Sequence, residues 1–346
     1  METTSAFDIN AVRAELEENG YVVIRNAVSV EVCDEIQSLF MDYMEGLTNG
    51  KFQRDDRSTW TNEILPNRTK GLIQHYNVGM SKHAIRSRME VKYIYEALFG
   101  TDKLTCSWDG TSFTTTPRVF PFKNLEDWKD KCWEKTPVHV DQTDLGFNSV
   151  QGGLAITKQY EDGHVFVCVP KSHLHHEELL RLGQEQLNEE NEARRKEDEK
   201  NGSKKRPKRS IEEHWLIMGE KQQEYMRAHG LVMKRVPLER GDFVLWQSRL
   251  VHASAGYCRT TDVDSFRLQV FVSMAVASND PAEIAKRQKY VELKRTSKHS
   301  ARDMRYFGAT SRIYSAEQKE KHEALTIPDC PEMSEEEKKL HGLIPY

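Results

Sequence analysis

From residue 104 onwards the chain contains short β-prone runs separated by turn signals, and this pattern limits the folds that it can adopt. The predicted strands are residues 104–108, 138–140, 153–156, 164–169, 243–246 and 266–276. Their turns carry glycine, as in Asp162-Gly163 and Gly241-Asp242, and glycine supplies backbone conformations that other residues adopt poorly. Several short strands joined by such turns predict a sandwich or barrel of the jelly-roll kind.

The beginning of the chain has a helical pattern instead. Residues 11–16 predict a helix that ends at Gly20, and residues 29–44 begin with a serine, which favours helix N-termini, and carry apolar side chains at helical spacing. A further helix is predicted over residues 87–99. We therefore expect an α+β fold with a mainly β core, on which a helix-rich part, residues 1–110, packs.

Two further segments lie within and after the β-rich part. Residues 177–233 are rich in Glu, Gln, Lys and Arg, which predicts a charged insertion made of a helix, a flexible tract and another helix. Its basic tract, residues 204–209, could be a nuclear localisation signal, a contact for an anionic partner or a solvated charge run. Residues 277–346 predict a helical C-terminal extension, and residues 1–346 are expected to form a single domain.

Composition argues against several classes of protein. The sequence has no apolar run of the roughly 18 residues that a membrane span needs, and its first residues lack the basic and apolar stretches of a secretory signal. The six cysteines contain no pair at the spacing typical of zinc or dithiol sites, so we expect them to be reduced. The net charge of −4 gives no general reason to expect nucleic-acid binding. We expect a cytoplasmic location, and the basic tract leaves a nuclear one open.

His139 and Asp141 are the first residues that point to a chemical function. They are two positions apart in a predicted strand, so their side chains project from the same face. A second histidine downstream, His252, would complete the facial triad of two histidines and one carboxylate that binds iron(II) in non-haem oxygenases. The His-x-Asp pattern is common, however, and His139 by itself could equally be a core histidine. The metal-site prediction therefore depends on the order of the residues that follow.

Arg267 lies at the entrance of the otherwise apolar strand over residues 266–276. A buried guanidinium without an anionic partner is costly, and a dicarboxylate ligand would satisfy it through two hydrogen bonds. Arg259 is a rival for this role. We favour Arg267, because a strand position directs its side chain inward whereas Arg259 lies in a predicted exposed turn.

With these residues in order, the chain resembles the phytanoyl-CoA dioxygenase family of iron(II)- and 2-oxoglutarate-dependent oxygenases. The resemblance extends from Gly20-Tyr21-Val22-Val23 to Arg267, and Pro170-Lys171-Ser172-His173 matches the family's Pro-Gly-Ser-His element with lysine in place of glycine. It implies a cupin-like double-stranded β-helix. It also implies the residue roles: a metal site and catalytic triad at His139, Asp141 and His252, and 2-oxoglutarate binding by Arg267 with help from Ser254.

The resemblance also implies a reaction. With Fe(II), 2-oxoglutarate and O2, such an enzyme hydroxylates an unactivated C–H bond and releases succinate and CO2. No side-chain acid or base is required, and the expected substrate is a small molecule or lipid-like. Three alternatives stay open: a non-catalytic jelly-roll protein that binds a ligand, an oxygenase acting on nucleic acid or protein, and a metal enzyme that works without 2-oxoglutarate. The substrate and the oligomeric state are not predicted.

Substrate contacts are the least constrained part of the prediction. Possible pocket walls each have an ordinary reading as core or strand-edge residues; they are Trp108, Asp109, Phe147, Gln151 and Trp246. A second metal site could be formed by His164, His173, His175 and His176. We expect none there, because His173 belongs to a turn and the last two precede a Glu-rich helix where exposure is expected.

Overall fold

The fold was analysed in a computed structural model. It describes residues 8–68, 71–115, 122–145, 149–203, 207–211, 215–258, 266–302, 304–312 and 315–346. The α-helices of these residues are α1 (Ile9–Asn19), α2 (Val30–Leu47), α3 (Lys82–Phe99), α4 (Leu125–Lys135), α5 (His176–Lys200), α6 (Glu220–Ala228), α7 (Pro281–Glu292), α8 (Ala316–Glu323) and α9 (Glu335–Leu340). Within the described ranges, none of the helices has the length and apolar character needed to cross a membrane.

The strands form two antiparallel sheets. They are β1 (Tyr21–Ile24), β2 (Leu72–Ile73), β3 (Leu104–Cys106), β4 (Thr111–Thr115), β5 (His139–Val140), β6 (Val150–Ala155), β7 (Val165–Cys168), β8 (Leu216–Ile217), β9 (Lys234–Val236), β10 (Phe243–Gln247), β11 (His252–Ala255) and β12 (Phe266–Val276). The seven-stranded sheet has the order β1-β10-β6-β12-β4-β2, and β3 also pairs with β12. The five-stranded sheet has the order β8-β5-β11-β7-β9. The chain therefore combines helices with antiparallel sheets, as the pattern of short strands predicts.

The N-terminal helices begin and end where the local sequence predicts. Asp8 caps α1 by accepting a hydrogen bond from the backbone N–H of Asn10 at 2.9 Å, and Gly20 ends the helix in a left-handed conformation. Ser29 caps α2 in the same way. The helix predicted over residues 87–99 is longer than expected, since α3 already begins at Lys82.

The long strand β12 separates the helical side of the molecule from its interior. Its alternate residues Leu268, Val270 and Val272 belong to the large apolar core that α2 and α3 also join. Because strand side chains alternate in direction, Arg267 and Phe271 lie on the opposite face. The side chains of Arg267 and Phe271 are thereby directed away from the helical core.

The charged segment 177–233 contains more than helices. Helices α5 and α6 lie in it as predicted, but β8 was not predicted. This two-residue strand pairs with β5, and Ile217 lies directly opposite His139. The segment thus supplies the edge strand of the five-stranded sheet, next to a predicted metal ligand. Part of its basic tract, residues 204–206, lies outside the described residues.

The C-terminal extension returns to the sheets after α7. Ser297 donates its backbone N–H to the carbonyl of Trp108 at 2.8 Å, and its hydroxyl accepts from the Trp108 N–H at 2.8 Å. These two bonds fix the following residues, Lys298 and His299, beside the cavity that lies between the sheets.

Candidate metal centre

The three predicted metal ligands come together at the end of the five-stranded sheet. His139 on β5 and His252 on β11 are directly opposite each other in register, and Asp141 follows β5 immediately. One carboxylate oxygen of Asp141 is 3.7 Å from His139 Nε2 and the other is 3.2 Å from His252 Nε2. All three ligand atoms lie within 4.8 Å of one another. Two histidines and one carboxylate at this separation can hold one transition-metal ion.

Backbone carbonyls orient both imidazole rings for metal binding. His139 Nδ1 is 3.2 Å from the carbonyl of Pro137, and His252 Nδ1 is 2.9 Å from the carbonyl of Leu250. A carbonyl oxygen only accepts hydrogen bonds, so each Nδ1 carries the proton, and Nε2 presents its lone pair towards Asp141. Hydrogen bonds of this kind fix the tautomer of ligating histidines. The donor set therefore fits iron(II).

Electrostatics keep His139 and Asp141 in the protonation states that a metal needs. Burial lowers the pKa of His139 to about 4, so the ring is neutral at neutral pH. Burial opposes ionisation of Asp141, but the neighbouring rings of His299, His252 and His139 hold its pKa well below its usual range. Metal ligands must be deprotonated, and both groups meet this condition without an ion.

Arg267 lies in the interior as predicted, among neutral polar groups. Its Nε donates to the Gln159 amide oxygen at 3.0 Å, its Nη1 to the hydroxyl of Ser112 at 2.7 Å, and its Nη2 to Gln269. Burial lowers its pKa to about 9. Among the residues that the structure describes, no carboxylate lies within ion-pair distance of this guanidinium. A buried cation without an anion is a site prepared for an anionic ligand.

Ser254 connects the guanidinium with the metal ligands. Its hydroxyl is 3.4 Å from Arg267 Nη1, and it is two residues after His252 on β11, so the two side chains share a face. Two residues of strand span about 6.6 Å, which is comparable to the length of a five-carbon dicarboxylate. The rival Arg259 lies outside the described residues.

A cavity of about 480 Å³ opens over these groups. This volume is in the range of small-molecule sites. Besides His139, Asp141 and Ser254, the cavity is lined by Leu72, Gln74, Ser112, Pro137, Trp215, Ile217, Ala253, Phe271, Lys298, His299 and Phe307. Most of the large side chains in this wall are apolar, and two of the metal ligands, His139 and Asp141, form part of it.

The possible pocket walls that lie in the described part of the chain have the packing role instead. Trp108, Asp109, Gln151 and Trp246 are buried but do not line the cavity, and Phe147 lies outside the described residues. Trp246 instead packs with its ring centroid 5.4 Å from that of His252. Part of the actual wall comes from the charged insertion and the C-terminal extension, whose contact with the sheets no local pattern reveals.

His299 is the main site residue that sequence reasoning missed. Its Nδ1 is hydrogen-bonded to the carboxylate of Asp109, and its Nε2 is 3.9 Å from Asp141 Oδ2. Burial alone would lower the pKa of His299, but Asp109 and Asp141 raise it to about 9. It follows Lys298 in a polar stretch, so only its position in the fold distinguishes it from a surface histidine.

The other histidines form no second metal site among the described residues, where His139, Asp141 and His252 are the one such cluster. His164 lies beside Arg267, and burial together with that guanidinium keeps its pKa well below the usual value. The expected exposure before the Glu-rich helix is wrong for His176, which is 3% exposed, and His173 is buried as well. Lys171, at the family's glycine position, adopts a left-handed φ of 67°.

A comparison with protein families decides the identity. The family model of phytanoyl-CoA dioxygenase (PhyH) matches residues 16–257, which include all three triad residues. The chain belongs to the phytanoyl-CoA dioxygenase family. It is therefore a non-haem oxygenase whose cofactors are iron(II) and 2-oxoglutarate, and the predicted family, enzyme class and cofactors are confirmed. Arg267 lies beyond the matched residues.

Individual relatives are more distant. Ava biosynthesis cluster protein O of Aspergillus versicolor is 28% identical over 246 residues, which cover 70% of this family member and 71% of the relative. The epimerase SnoN in complex with Fe3+, alpha ketoglutarate and nogalamycin RO is 13% identical, with a TM-score of 0.46 over 78% of this chain and 84% of SnoN. EctD from S. alaskensis with 2-oxoglutarate and 5-hydroxyectoine is 11% identical, with a TM-score of 0.45 over 92% of this chain and 89% of EctD. Both TM-scores are below 0.5, so the family match alone establishes the identity.

Proposed function

We propose that this protein hydroxylates an unactivated C–H bond of a small-molecule substrate, with Fe(II), 2-oxoglutarate and O2, and releases succinate and CO2. The observation that supports this most is that one cavity is lined by His139, Asp141 and Ser254, and that the Ser254 hydroxyl is 3.4 Å from Arg267 Nη1. Iron bound with 2-oxoglutarate supplies the oxidising power of such a reaction. The protein has to hold these groups, orient the substrate and exclude water.

Each residue of the site has a defined part in this proposal. His139, Asp141 and His252 would hold iron on one face, which leaves its other positions open. Arg267 would receive the distant carboxylate of 2-oxoglutarate through two hydrogen bonds, and Ser254 would donate its hydroxyl to the same carboxylate. A metal enzyme without 2-oxoglutarate would leave Arg267 with no anionic partner among the described residues. This consideration favours the 2-oxoglutarate enzyme.

We also infer the finer architecture that goes with this function. The two sheets are taken as the halves of a cupin-like double-stranded β-helix, because both direct polar residues towards one cavity. Residues 1–346 would form one oxygenase domain, with residues 1–110 packed on the core, 177–233 as a charged insertion and 277–346 as a C-terminal extension. The cytoplasmic location stays a prediction.

Succinate formation tests the proposal. Protein loaded anaerobically with iron(II) and then given 2-oxoglutarate and air should form succinate, slowly without a substrate because uncoupled turnover is slower. His252→Ala should abolish this activity. His175→Ala is a matched control, since this part-buried histidine bonds to Tyr225 away from the cavity and should leave the rate unchanged. If no succinate forms under any of these conditions, the proposal is wrong and a non-catalytic ligand-binding protein is favoured.

A further inference from the structure

The edge strand β8 presents apolar side chains to the cavity. Ile217 on β8 and Trp215 just before this strand both line it, and they are 43% and 38% exposed although both are large and apolar. Leu216 between them packs with the second apolar cluster of the core, as expected from strand alternation. The ring centroid of Trp215 is 6.0 Å from that of His139. An apolar surface thus begins next to a metal ligand.

Other parts of the chain extend this apolar surface. Phe271 on β12 and Phe307 in the C-terminal extension line the same cavity. Phe271 belongs to the seven-stranded sheet, whereas Trp215 directly precedes β8, the edge strand of the five-stranded one. Apolar side chains exposed in a concave site are typical of ligand contacts. Three aromatic residues from three separate segments favour a substrate with a ring system.

A polar group, His299, interrupts this surface close to the metal ligands. His299 is held by Asp109 through Nδ1, and Asp109 is itself buried and accepts the N–H of Gly110 at 2.6 Å. Among the residues that the structure describes, none is hydrogen-bonded to the Nε2 of His299. The ring of His299 lies 6.3 Å from that of Phe271, centroid to centroid. A hydroxyl group can either donate to or accept from Nε2, so it suits this position whether or not that nitrogen is protonated.

We propose that the substrate is a small molecule with an apolar ring system that contacts Trp215, Ile217 and Phe271, and with a hydroxyl group bound by His299 near the oxidised carbon. This inference rests on the proposed oxygenase function. It makes the insertion, the C-terminal extension and Phe271 on β12 the parts that determine substrate choice. His299 acts as a substrate-binding residue in this account.

Three simple probes separate the contributions of ring and hydroxyl. We would use 2-naphthol, naphthalene and 1-octanol with zinc-substituted protein in the presence of 2-oxoglutarate, and measure dissociation constants by ligand-observed NMR. The wild type should bind 2-naphthol about tenfold more tightly than naphthalene, because of one buried hydrogen bond. His299→Ala should remove that difference. Trp215→Ala should weaken both aromatic probes about tenfold, through lost aromatic contact.

Val232→Ala is the matched control for these variants. Val232 is 72% exposed, lies in the same insertion and does not line the cavity, so its replacement should change none of the constants. The inference is overturned if 1-octanol binds as tightly as 2-naphthol, if His299→Ala weakens both aromatic probes equally, or if Trp215→Ala has no effect. Absence of succinate formation would contradict the oxygenase function instead, and it is measured independently of these probes.

Discussion

Replacing Arg267 by alanine should weaken 2-oxoglutarate binding about 150-fold. The guanidinium is only 3% exposed, and a carboxylate received there would accept two charge-assisted hydrogen bonds worth about 1.5–3 kcal/mol each. Ser112 and Ser254, whose hydroxyls are 2.7 and 3.4 Å from Nη1, stay in place in the variant and can still donate. We therefore take the lower value for each of the two bonds and expect a loss of about 3 kcal/mol of binding free energy. This loss corresponds to an increase of about 150-fold in Kd.

An anaerobic titration of the iron-loaded protein measures this effect. The visible absorbance of the iron(II) and keto-acid complex reports 2-oxoglutarate binding, and competition with a chelator reports iron affinity. Arg267→Ala should change the first and leave the second as in the wild type. Arg86→Ala is the control, because this arginine lies on α3 in exposed ion pairs with Glu35 and Glu90. Unchanged 2-oxoglutarate affinity in Arg267→Ala, or an equal loss of iron, would refute the role assigned to this arginine.

Three further predictions concern close packing and protonation. Gly153→Ala places a Cβ against the Gln269 amide that bonds Arg267, so 2-oxoglutarate affinity should fall about tenfold; an unchanged Kd would contradict this. Gly241 has a φ of +86° and lies beside the Val28 carbonyl, so Gly241→Ala should lower the free energy of urea unfolding by at least about 2 kcal/mol. Gly230 has a φ of +67° but lies in open space, so Gly230→Ala should lower it by only about 1 kcal/mol. Equal losses of unfolding free energy in the two variants would show that the contact between the new Cβ and the Val28 carbonyl costs nothing, and would contradict this prediction. Burial and Arg88 lower the pKa of His83 in the folded protein from 6.5 to about 3. Between these pH values the unfolded chain therefore binds one more proton than the folded protein does. The free energy of unfolding should fall as the pH is lowered from 6.5 to 3, by up to about 1.4 kcal/mol per pH unit. His83→Gln should make that slope shallower, and an identical slope would contradict the assignment.

The sequence predicted those parts of the structure that depend on local pattern. Gly20 and Ser29 mark helix ends because capping is a property of a few adjacent residues. Strand β12 was predicted with its observed bounds, since its apolar run is long. The two-residue spacing of His139 and Asp141 predicted that both side chains lie on one side of the chain. This proximity depends on strand geometry alone and needs no contact with a distant segment.

The rest of the site depends on contacts between distant segments. Strand β8 has only two residues and lies in a charged segment, so no periodicity distinguishes it. His299 reaches the metal ligands because Ser297 binds the backbone of Trp108, a contact between residues 189 positions apart. His176 is buried although the residues that follow it are charged, because its exposure depends on its position in the fold and not on local composition. Substrate contacts were therefore the part of the site that the sequence predicted least well.

The stoichiometry and affinity of iron(II) test the central claim, that His139, Asp141 and His252 hold the catalytic metal. Wild-type protein, titrated anaerobically, should bind one iron per chain. Alanine in place of any one of the three should lower the affinity at least about a hundredfold, since even partners that only orient ligands contribute 10- to 100-fold. His229→Ala, which removes a histidine whose ring contacts that of Tyr225 outside the cavity, should bind iron as the wild type does. Wild-type iron affinity in any of the three triad variants would contradict the account.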